Sequence, residues 1–379
     1  MSTKEDKFTL KDKKYMSLAL NLASARQGLT GDNPSVGCLI VKNDKIISIG
    51  QTGHNGRPHA ENNAINNSFE KLDGCKMYVT LEPCNHYGKT PPCTTSIIKS
   101  GISELIYSMD DIDKRVRGKS FKILSSKKIK VKKGLLKEKA KYIYDSYIKN
   151  RKSKLPYITA KIAVSKNKLI YSLGSKRITN KSSDKITHYL RYKNDSIMIS
   201  SKTLNIDNPR LNCRLKNFDK FSPKRIILDK SLKINLKSYI FKSAKKGNTV
   251  LFYNKSNNTK IKILKKKGVT LIKSKLNSEG LLDLKIVLKK LFVLGTRNLL
   301  VEGGDKITKN LIKNKMIDKF YLFQSPKVLQ KGKINQSFTS LEILKKKYRK
   351  EFKISSKLAK DSITIYKKKC LTELYLTRV

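Results

Sequence analysis

Residues 59–61, "HAE", and residues 76–93, "KMYVTLEPCNHYGKTPPC", decide how this chain is read. They gather two of its four histidines, two glutamates and two of its six cysteines into polar, proline-marked surroundings. The second stretch starts as a β-rich apolar run and ends in a loop, which places Cys84, after Pro83, at a strand end. His59 follows Pro58 and Cys93 follows Pro92, each at the expected start of a helix. A helix N-terminus favours anions, so Cys93 is expected as a thiolate. One imidazole and two thiolates supply three zinc ligands and leave a fourth tetrahedral position open, the arrangement of a catalytic rather than a structural zinc. Glu61, two residues beyond His59, is placed as the carboxylate that shuttles protons beside it. Taken singly, these are an ordinary surface histidine, core cysteine and loop cysteine. Their shared context carries the inference.

The surroundings read as an α/β layered domain. Apolar Tyr15, Leu18, Leu22 and Ala25 fall at helical spacing between Lys11 and Arg26, with Gly28 as a stop signal. Residues 36–50, "VGCLIVKNDKIISIG", are two β-rich runs about a turn, a hairpin signal. "CTTSIIKSG" reads as a short helix ended by Gly101, "ELIYSM" and "KIKVKKG" as strands, and Lys137 to Asn150 as a closing helix. Charge and proline in "NRKSKLP" (150–156) mark a linker, so domains of 1–150 and 151–379 are expected. A second α/β series follows. Its strands are "YITAKIAV", "DSIMISS", "RIILD", "TVLFY", "VTLIKS", "NLLVEGG", "KFYLFQSPKVL", "SITIYKK" and "TELYLTRV". Leu284, Val287, Leu288, Leu291 and Leu294 form one helical face between two of them, capped by Gly295, which predicts a βαβ unit with parallel strands.

Composition sets the outer bounds. The opening "MSTKEDKFTL" lacks the apolar core of a secretory signal, and "LLDLKIVLKKLFVLG" (281–295) is broken by lysines and short of a span. A cytoplasmic protein with reduced cysteines and no membrane partner is expected. The chain holds 84 Lys plus Arg against 29 Asp plus Glu, a net charge of +55. This excess is spread evenly and travels with Asn, Ile, Ser and Tyr, residues with A/T-rich codons, so it predicts no specific nucleic-acid partner. Such a field still attracts a phosphorylated small molecule.

The His-x-Glu and Pro-Cys pattern resembles that of the zinc-dependent nucleoside and nucleobase deaminases. The cysteines lie nine apart, with "NHYGKTPP" between them, rather than with two intervening residues. "NPSVGCLIV" (33–41), "HAE" and "TLEPCNHYGKTPPC" (80–93) together resemble the bifunctional riboflavin-biosynthesis enzymes of the RibD family, across essentially the whole chain. The resemblance implies an α/β protein with an N-terminal cytidine-deaminase-like three-layer domain and a C-terminal dihydrofolate-reductase-like domain. It implies zinc on His59, Cys84 and Cys93, Glu61 as the catalytic carboxylate, and deamination of a diaminopyrimidinone ribosyl phosphate followed by NADPH-dependent reduction of the ribosyl chain. Asn33, His86, Lys89 and Asp111 would then hold the first substrate. Lys161, Ser175, Arg191, Leu211, Arg214 and Glu302 would approach the second, with Arg191 and Arg214 on its phosphate. Ala163, Ser175, Arg177, Thr203, Asp207, Gly303 and Gly304 would line the NADPH site, the two glycines opening a helix after "LLVE". Self-association is left open. The rival readings are a tRNA or nucleobase deaminase and a basic nucleic-acid binder with an inactive deaminase fold.

Four departures from the family pattern stand out. Thr52 occupies a usual histidine position, "DIDK" (111–114) replaces "DPNP", "SKNK" (165–168) replaces "SLDG", and Arg177 aligns with a common tryptophan. None touches the metal, so they bear on affinity and on the reductase site.

Overall fold

Residue contacts divide the chain into two units, Met1–Lys154 and Leu155–Val379. The computed structural model describes residues 7–172, 178–255, 257–330, 335–354 and 358–368. The strand predicted in "TELYLTRV" and the expected site residues Ser175 and Arg177 lie outside them.

In the first unit, α1 (Leu10–Arg26) begins with a reciprocal cap: Thr9 Oγ1 accepts from Asp12 N, and Thr9 N donates to Asp12 Oδ2. The predicted hairpin is β1 (Gly37–Lys42) and β2 (Lys45–Gln51). Its turn residues Asn43 and Asp44 have φ of 47° and 61°, the left-handed pair that a two-residue hairpin loop requires. Then follow α2 (Ala60–Asn66), β3 (Lys76–Val79), α3 (Cys93–Lys99), β4 (Glu104–Tyr107), α4 (Lys119–Ser126), β5 (Lys130–Lys133), α5 (Lys137–Ile143) and α6 (Asp145–Ser153). The sheet order is β2-β1-β3-β4-β5, with β1 antiparallel to both neighbours and β3, β4 and β5 parallel.

Two glycines set the layer spacing. A Cβ on Gly37 would fall 2.0 Å from Ala19 O in α1, and one on Gly50 would fall 2.1 Å from Ala60 O in α2. Both helices therefore rest directly on the sheet, and α2 carries the "HAE" motif into a fixed place.

Two sequence expectations change here. The closing helix predicted over 137–150 is two helices, separated at Tyr144. The expected linker at 150–156 is mostly the end of α6, because Tyr147 and Asn150 are buried there, so the unit boundary falls after Lys154 rather than after Asn150.

The second unit comprises β6 (Tyr157–Val164), β7 (Leu169–Ser172), α7 (Lys181–Tyr192), β8 (Ser196–Ser200), α8 (Ser201–Asp207), β9 (Lys224–Leu228), α9 (Tyr239–Lys242), β10 (Thr249–Tyr253), α10 (Asn258–Lys266) and β11 (Thr270–Lys273). It continues with α11 (Leu284–Val293), β12 (Asn298–Val301), α12 (Asp305–Lys313), β13 (Lys319–Gln324), β14 (Asn335–Ser337), α13 (Leu341–Lys347), β15 (Tyr348–Ile354) and β16 (Ser362–Lys368). Nine strands form one sheet in the order β11-β10-β9-β8-β12-β6-β13-β16-β15, parallel from β11 to β13 and antiparallel at β16 and β15.

Of the apolar face predicted on α11, Leu284, Val287, Leu288 and Leu291 are buried, whereas Leu294 caps the helix and is exposed, and the strands flanking the helix are not neighbours. The chain crosses from the edge strand β11 to β12 in the middle of the sheet, passing β10, β9 and β8. Helical periodicity specifies a buried face and leaves open which strand follows it in space.

Candidate active sites

His59 caps the N-terminus of α2, Cys84 lies in the loop after β3, and Cys93 opens α3. His59 Nδ1 is 3.2 Å from Cys93 Sγ and 3.5 Å from Cys84 Sγ, and Cys93 N donates to Cys84 Sγ at 3.3 Å. One ligand atom from each of the three residues fits within a 4.8 Å cluster. That donor set of one imidazole and two sulfurs suits zinc. Hydrogen bonding from Cys93, and then His59, pulls the Cys84 thiol down, whereas the contact with Cys84 and burial push Cys93 up. Glu61 is buried beside the cluster, and burial raises its carboxyl to about 7.

The cluster opens on a cavity of about 280 Å³ whose lining includes Asn33, Glu61, His86, Lys89 and Asp111, as the resemblance implies. Asn33 Nδ2 donates to Gly56 O at 2.8 Å. His86 Nδ1 is buried without a hydrogen-bond partner, an acceptor or donor held ready for a ligand. Asp111 Oδ1 accepts from Tyr147 OH at 3.0 Å and from Asp113 N at 2.9 Å. Thr52, at the family's histidine position, also lines the cavity, but its Oγ1 accepts from Val36 N at 2.9 Å and is 3.1 Å from Pro34 O.

Several lining residues escaped the sequence reading. Glu82 accepts backbone N–H bonds from Asp111 at 3.2 Å, Gly118 at 3.0 Å and Ser120 at 3.2 Å, so it ties the "DIDK" loop to the end of β3. Tyr147 and Arg151 come from α6, inside or beside the stretch read as linker. Asp113 pairs with Arg115 at 2.6 Å and approaches Arg151 at 3.9 Å. The position of Glu82, immediately before Pro83-Cys84, was the available signal for it; the arginines carried none among so many cations.

In the second unit, a cavity of about 620 Å³ is lined by Lys161, Ala163, Arg191, Thr203, Asp207, Glu302, Gly303 and Gly304, all expected from the sequence, and by Asp184 and Gln336, which were not. Arg191 and Glu302 form a two-point ion pair, Nε to Oε1 at 2.8 Å and Nη2 to Oε2 at 2.9 Å, and Arg191 Nη1 donates to Asn212 O at 3.1 Å. Burial pushes the Glu302 carboxyl up, but Arg191 and Lys161 outweigh it and hold the group below its ordinary range. Burial lowers Lys161, whose Nζ lies 4.9 Å from the Phe323 ring centroid. A Cβ on Gly304 would lie 3.7 Å from Gln336 Oε1 and 3.9 Å from Thr203 Oγ1, so the missing side chain leaves a cradle at the N-terminus of α12. An adjoining hollow of about 670 Å³ shares Thr203, Gly304 and Gln336 and adds Lys202, Lys230 and Lys306. Cleft, cradle and cations suit a dinucleotide phosphate.

Three expectations about this site shift. Leu211 packs in the hydrophobic core with 2% of its surface exposed, so its side chain is not available to a ligand. Arg214 is exposed, outside the cavity lining, and its Nη1 donates to Asn212 Oδ1 at 2.8 Å. Arg191, expected to hold phosphate, is engaged by Glu302, because two opposite charges buried together stabilise each other. The "SKNK" turn is closed by its own hydrogen bonds, Ser165 Oγ to Asn167 Oδ1 among them. Lys168, at the family's glycine position, has φ of 62°. Asn167 Oδ1 accepts from Ser165 Oγ at 2.7 Å and Leu329 N at 3.1 Å, as an aspartate would.

A layered deaminase-type unit with a zinc-ligand cluster, followed by a mostly parallel α/β unit with a dinucleotide cleft, defines a two-domain deaminase and reductase. Residues 9–109 match the cytidine and deoxycytidylate deaminase zinc-binding region, and residues 156–364 match the RibD C-terminal domain. The riboflavin biosynthesis protein RibD of Aquifex aeolicus is 36% identical over 323 residues, 85% of this chain and 88% of its own length. That of Escherichia coli is 29% identical over 84% of this chain and 89% of its own. The crystal structure of the Thermotoga maritima diaminohydroxyphosphoribosylaminopyrimidine deaminase/5-amino-6-(5-phosphoribosylamino)uracil reductase has a TM-score of 0.80 and 27% identity, covering 95% of this chain and 99% of that one. Acinetobacter baumannii RibD gives a TM-score of 0.81 at 25% identity with the same coverage. The chain belongs to the RibD family of bifunctional riboflavin-biosynthesis enzymes, with a zinc-binding deaminase domain and an NADPH-using reductase domain. No helix among the described residues is long and apolar enough to cross a membrane.

Proposed function

We propose that the first unit deaminates 2,5-diamino-6-ribosylamino-4(3H)-pyrimidinone 5′-phosphate and that the second reduces the ribosyl chain of the product to ribityl with NADPH. The observation that carries this reading is the convergence of His59, Cys84 and Cys93 with buried Glu61 at one cavity. Zinc held by those three residues would supply a water acidified towards neutrality. Glu61 would hold a proton and pass it to the departing amine, a task suited to a carboxyl raised into the neutral range by burial. His86, Asn33 and Asp111 would orient the base, with the orphaned His86 Nδ1 offering it a hydrogen bond.

In the second unit NADPH supplies the hydride that no side chain can. Gly303 and Gly304 would admit its phosphates at the start of α12, with Thr203 and Asp207 beside them. Lys161 and Glu302 would face the ribosyl group, and Arg191 would divide its N–H groups between Glu302 and the incoming substrate. The even spread of the +55 charge supports only weak, sequence-independent nucleic-acid binding that salt abolishes. A sequence-selective complex surviving 0.2 M salt would contradict that.

The deciding assay supplies the diaminopyrimidine phosphate to zinc-replete protein with and without NADPH. Without it, ammonia is released and the ribosylamino intermediate accumulates; adding NADPH consumes both nucleotide and intermediate. Absence of ammonia sinks the first half, and NADPH left unconsumed with authentic intermediate sinks the second.

A further inference from the structure

Arg57 lies two residues before His59, on the extended segment that leads into α2. Its backbone has little freedom: Gly53 N donates to Pro58 O at 2.9 Å, and a Cβ on Gly53 would fall 2.0 Å from Arg57 O. The half-buried guanidinium lines the first cavity and donates from Nη1 to Thr90 Oγ1. It also lies against the intervening loop, where a Cβ on Gly88 would be 3.8 Å from Nη2. Arg57 is therefore presented to the cavity from the same stretch of wall as Lys89.

The charges around this cavity divide unevenly. Its cations are Arg57, Lys89, Arg115 and Arg151, and its acids are Glu61, Glu82, Asp111 and Asp113. Asp113 is matched by Arg115 and Arg151. Backbone N–H groups satisfy Glu82, and Tyr147 with Asp113 N satisfies Asp111. Glu61 is buried beside the zinc-ligand cluster. Arg57 and Lys89 have no carboxylate within ion-pair distance among the described residues. Two neighbouring cations without an acid, one a planar fork held by Thr90, form a receptor for a dianion, and a phosphate monoester is the dianion that a phosphoribosyl substrate brings.

We propose that Arg57 is a specificity-determining residue of the first unit, which together with Lys89 binds the phosphate monoester of the pyrimidine substrate. The assignment rests on the deaminase reading above. It explains why Thr52, whose hydroxyl is spent on backbone groups, can stand in this wall without providing any charge.

Ammonia release by wild type, Arg57→Ala and Arg57→Lys, measured on the phosphate ester and on its dephosphorylated riboside, tests this. Arg57→Ala is expected to lower the preference for ester over riboside in kcat/KM by about 10- to 100-fold, the value of one charge-assisted contact, with the loss in the KM of the ester. Arg57→Lys is expected to recover part of it. Zinc bound at about one ion per chain shows that each variant keeps its fold. An equal loss on both substrates would mean that Arg57 only holds the Thr90 loop, and an unchanged preference would mean that it does not meet the phosphate; either overturns the assignment. Zinc-loaded wild type that releases ammonia from neither substrate overturns the deaminase reading itself, a result no failure of the Arg57 variants can imitate.

Discussion

The zinc cluster takes its donors from the short span between His59 and Cys93, on two helix starts and the loop after β3, whereas the second cavity gathers Lys161, Arg191, Thr203, Glu302 and Gln336 from five separate elements. The first set is fixed by local geometry: a proline precedes each ligand, helix starts place His59 and Cys93, and two glycines seat α1 and α2 on the sheet. The second exists only once distant strands have paired. Arg191 and Glu302 answer one another there, while in the first cavity Asp113 pairs with Arg115 but Arg57 and Lys89 meet no carboxylate among the described residues. A site assembled locally can be held open for its ligand. One assembled from remote, buried charges must satisfy them before the ligand arrives.

The contrast is broken most forcefully at the metal. Cys84→Ser should remove zinc and ammonia release together, and Glu61→Gln should retain zinc yet lower ammonia release by about 10²- to 10⁴-fold, the usual worth of general acid–base catalysis. Neither should slow NADPH oxidation with authentic ribosylamino intermediate. Metal analysis and the two separate assays check this; a parallel loss of NADPH oxidation would show that the sites are not independent.

Next in size is the buried pair of the second unit. Glu302→Ala leaves Arg191 without its partner and should destabilise that unit by about 3 kcal/mol, while ammonia release continues. Denaturant unfolding followed beside the deaminase assay reads both effects. The pair also predicts a pH dependence. The folded Glu302 carboxyl lies below its unfolded value of about 4.3, so its stabilisation is complete above that value and is lost as pH falls through the lower folded one. The acid limb of stability should therefore flatten in Glu302→Gln; an identical limb would remove this pair from the account.

The smallest effect concerns the "SKNK" turn. Lys168 holds a φ of 62°, which a side chain disfavours by about 1 kcal/mol, so Lys168→Gly should raise the melting temperature of the second unit by about 2–4 °C. An unchanged or lower value would show that the lysine side chain offsets the strain.

The deaminase site was legible because its chemistry is local. The hairpin turn at Asn43-Asp44, the helix after Pro58 and the strand into Pro83-Cys84 each announce themselves within a few residues, and the zinc ligands sit on those signals. Tyr147, in the expected closing helix, and Arg151, in the expected linker, were missed for the opposite reason: only the packing of α6 turns them inward. In the second unit the strand in "NLLVEGG" and the helix after its glycines were readable, as was the apolar face of α11. The departure at 165–168 looked severe, yet Asn167 makes the hydrogen bonds of the turn and Lys168 accepts its backbone angle.

By itself, the sequence determined the grouping of His59, Cys84 and Cys93 with Glu61 beside them, the α/β class of both units and the helix start after Gly303-Gly304, since each depends on residue type and spacing along one or two elements. Tertiary structure alone decided that β11 and β12 lie four places apart in the sheet, that Leu211 faces the core, that Arg191 is held by Glu302, and that Arg57 lines the same cavity as Lys89. Pairing of strands and of charges depends on which distant surfaces bury one another, and a linear pattern carries no record of that choice.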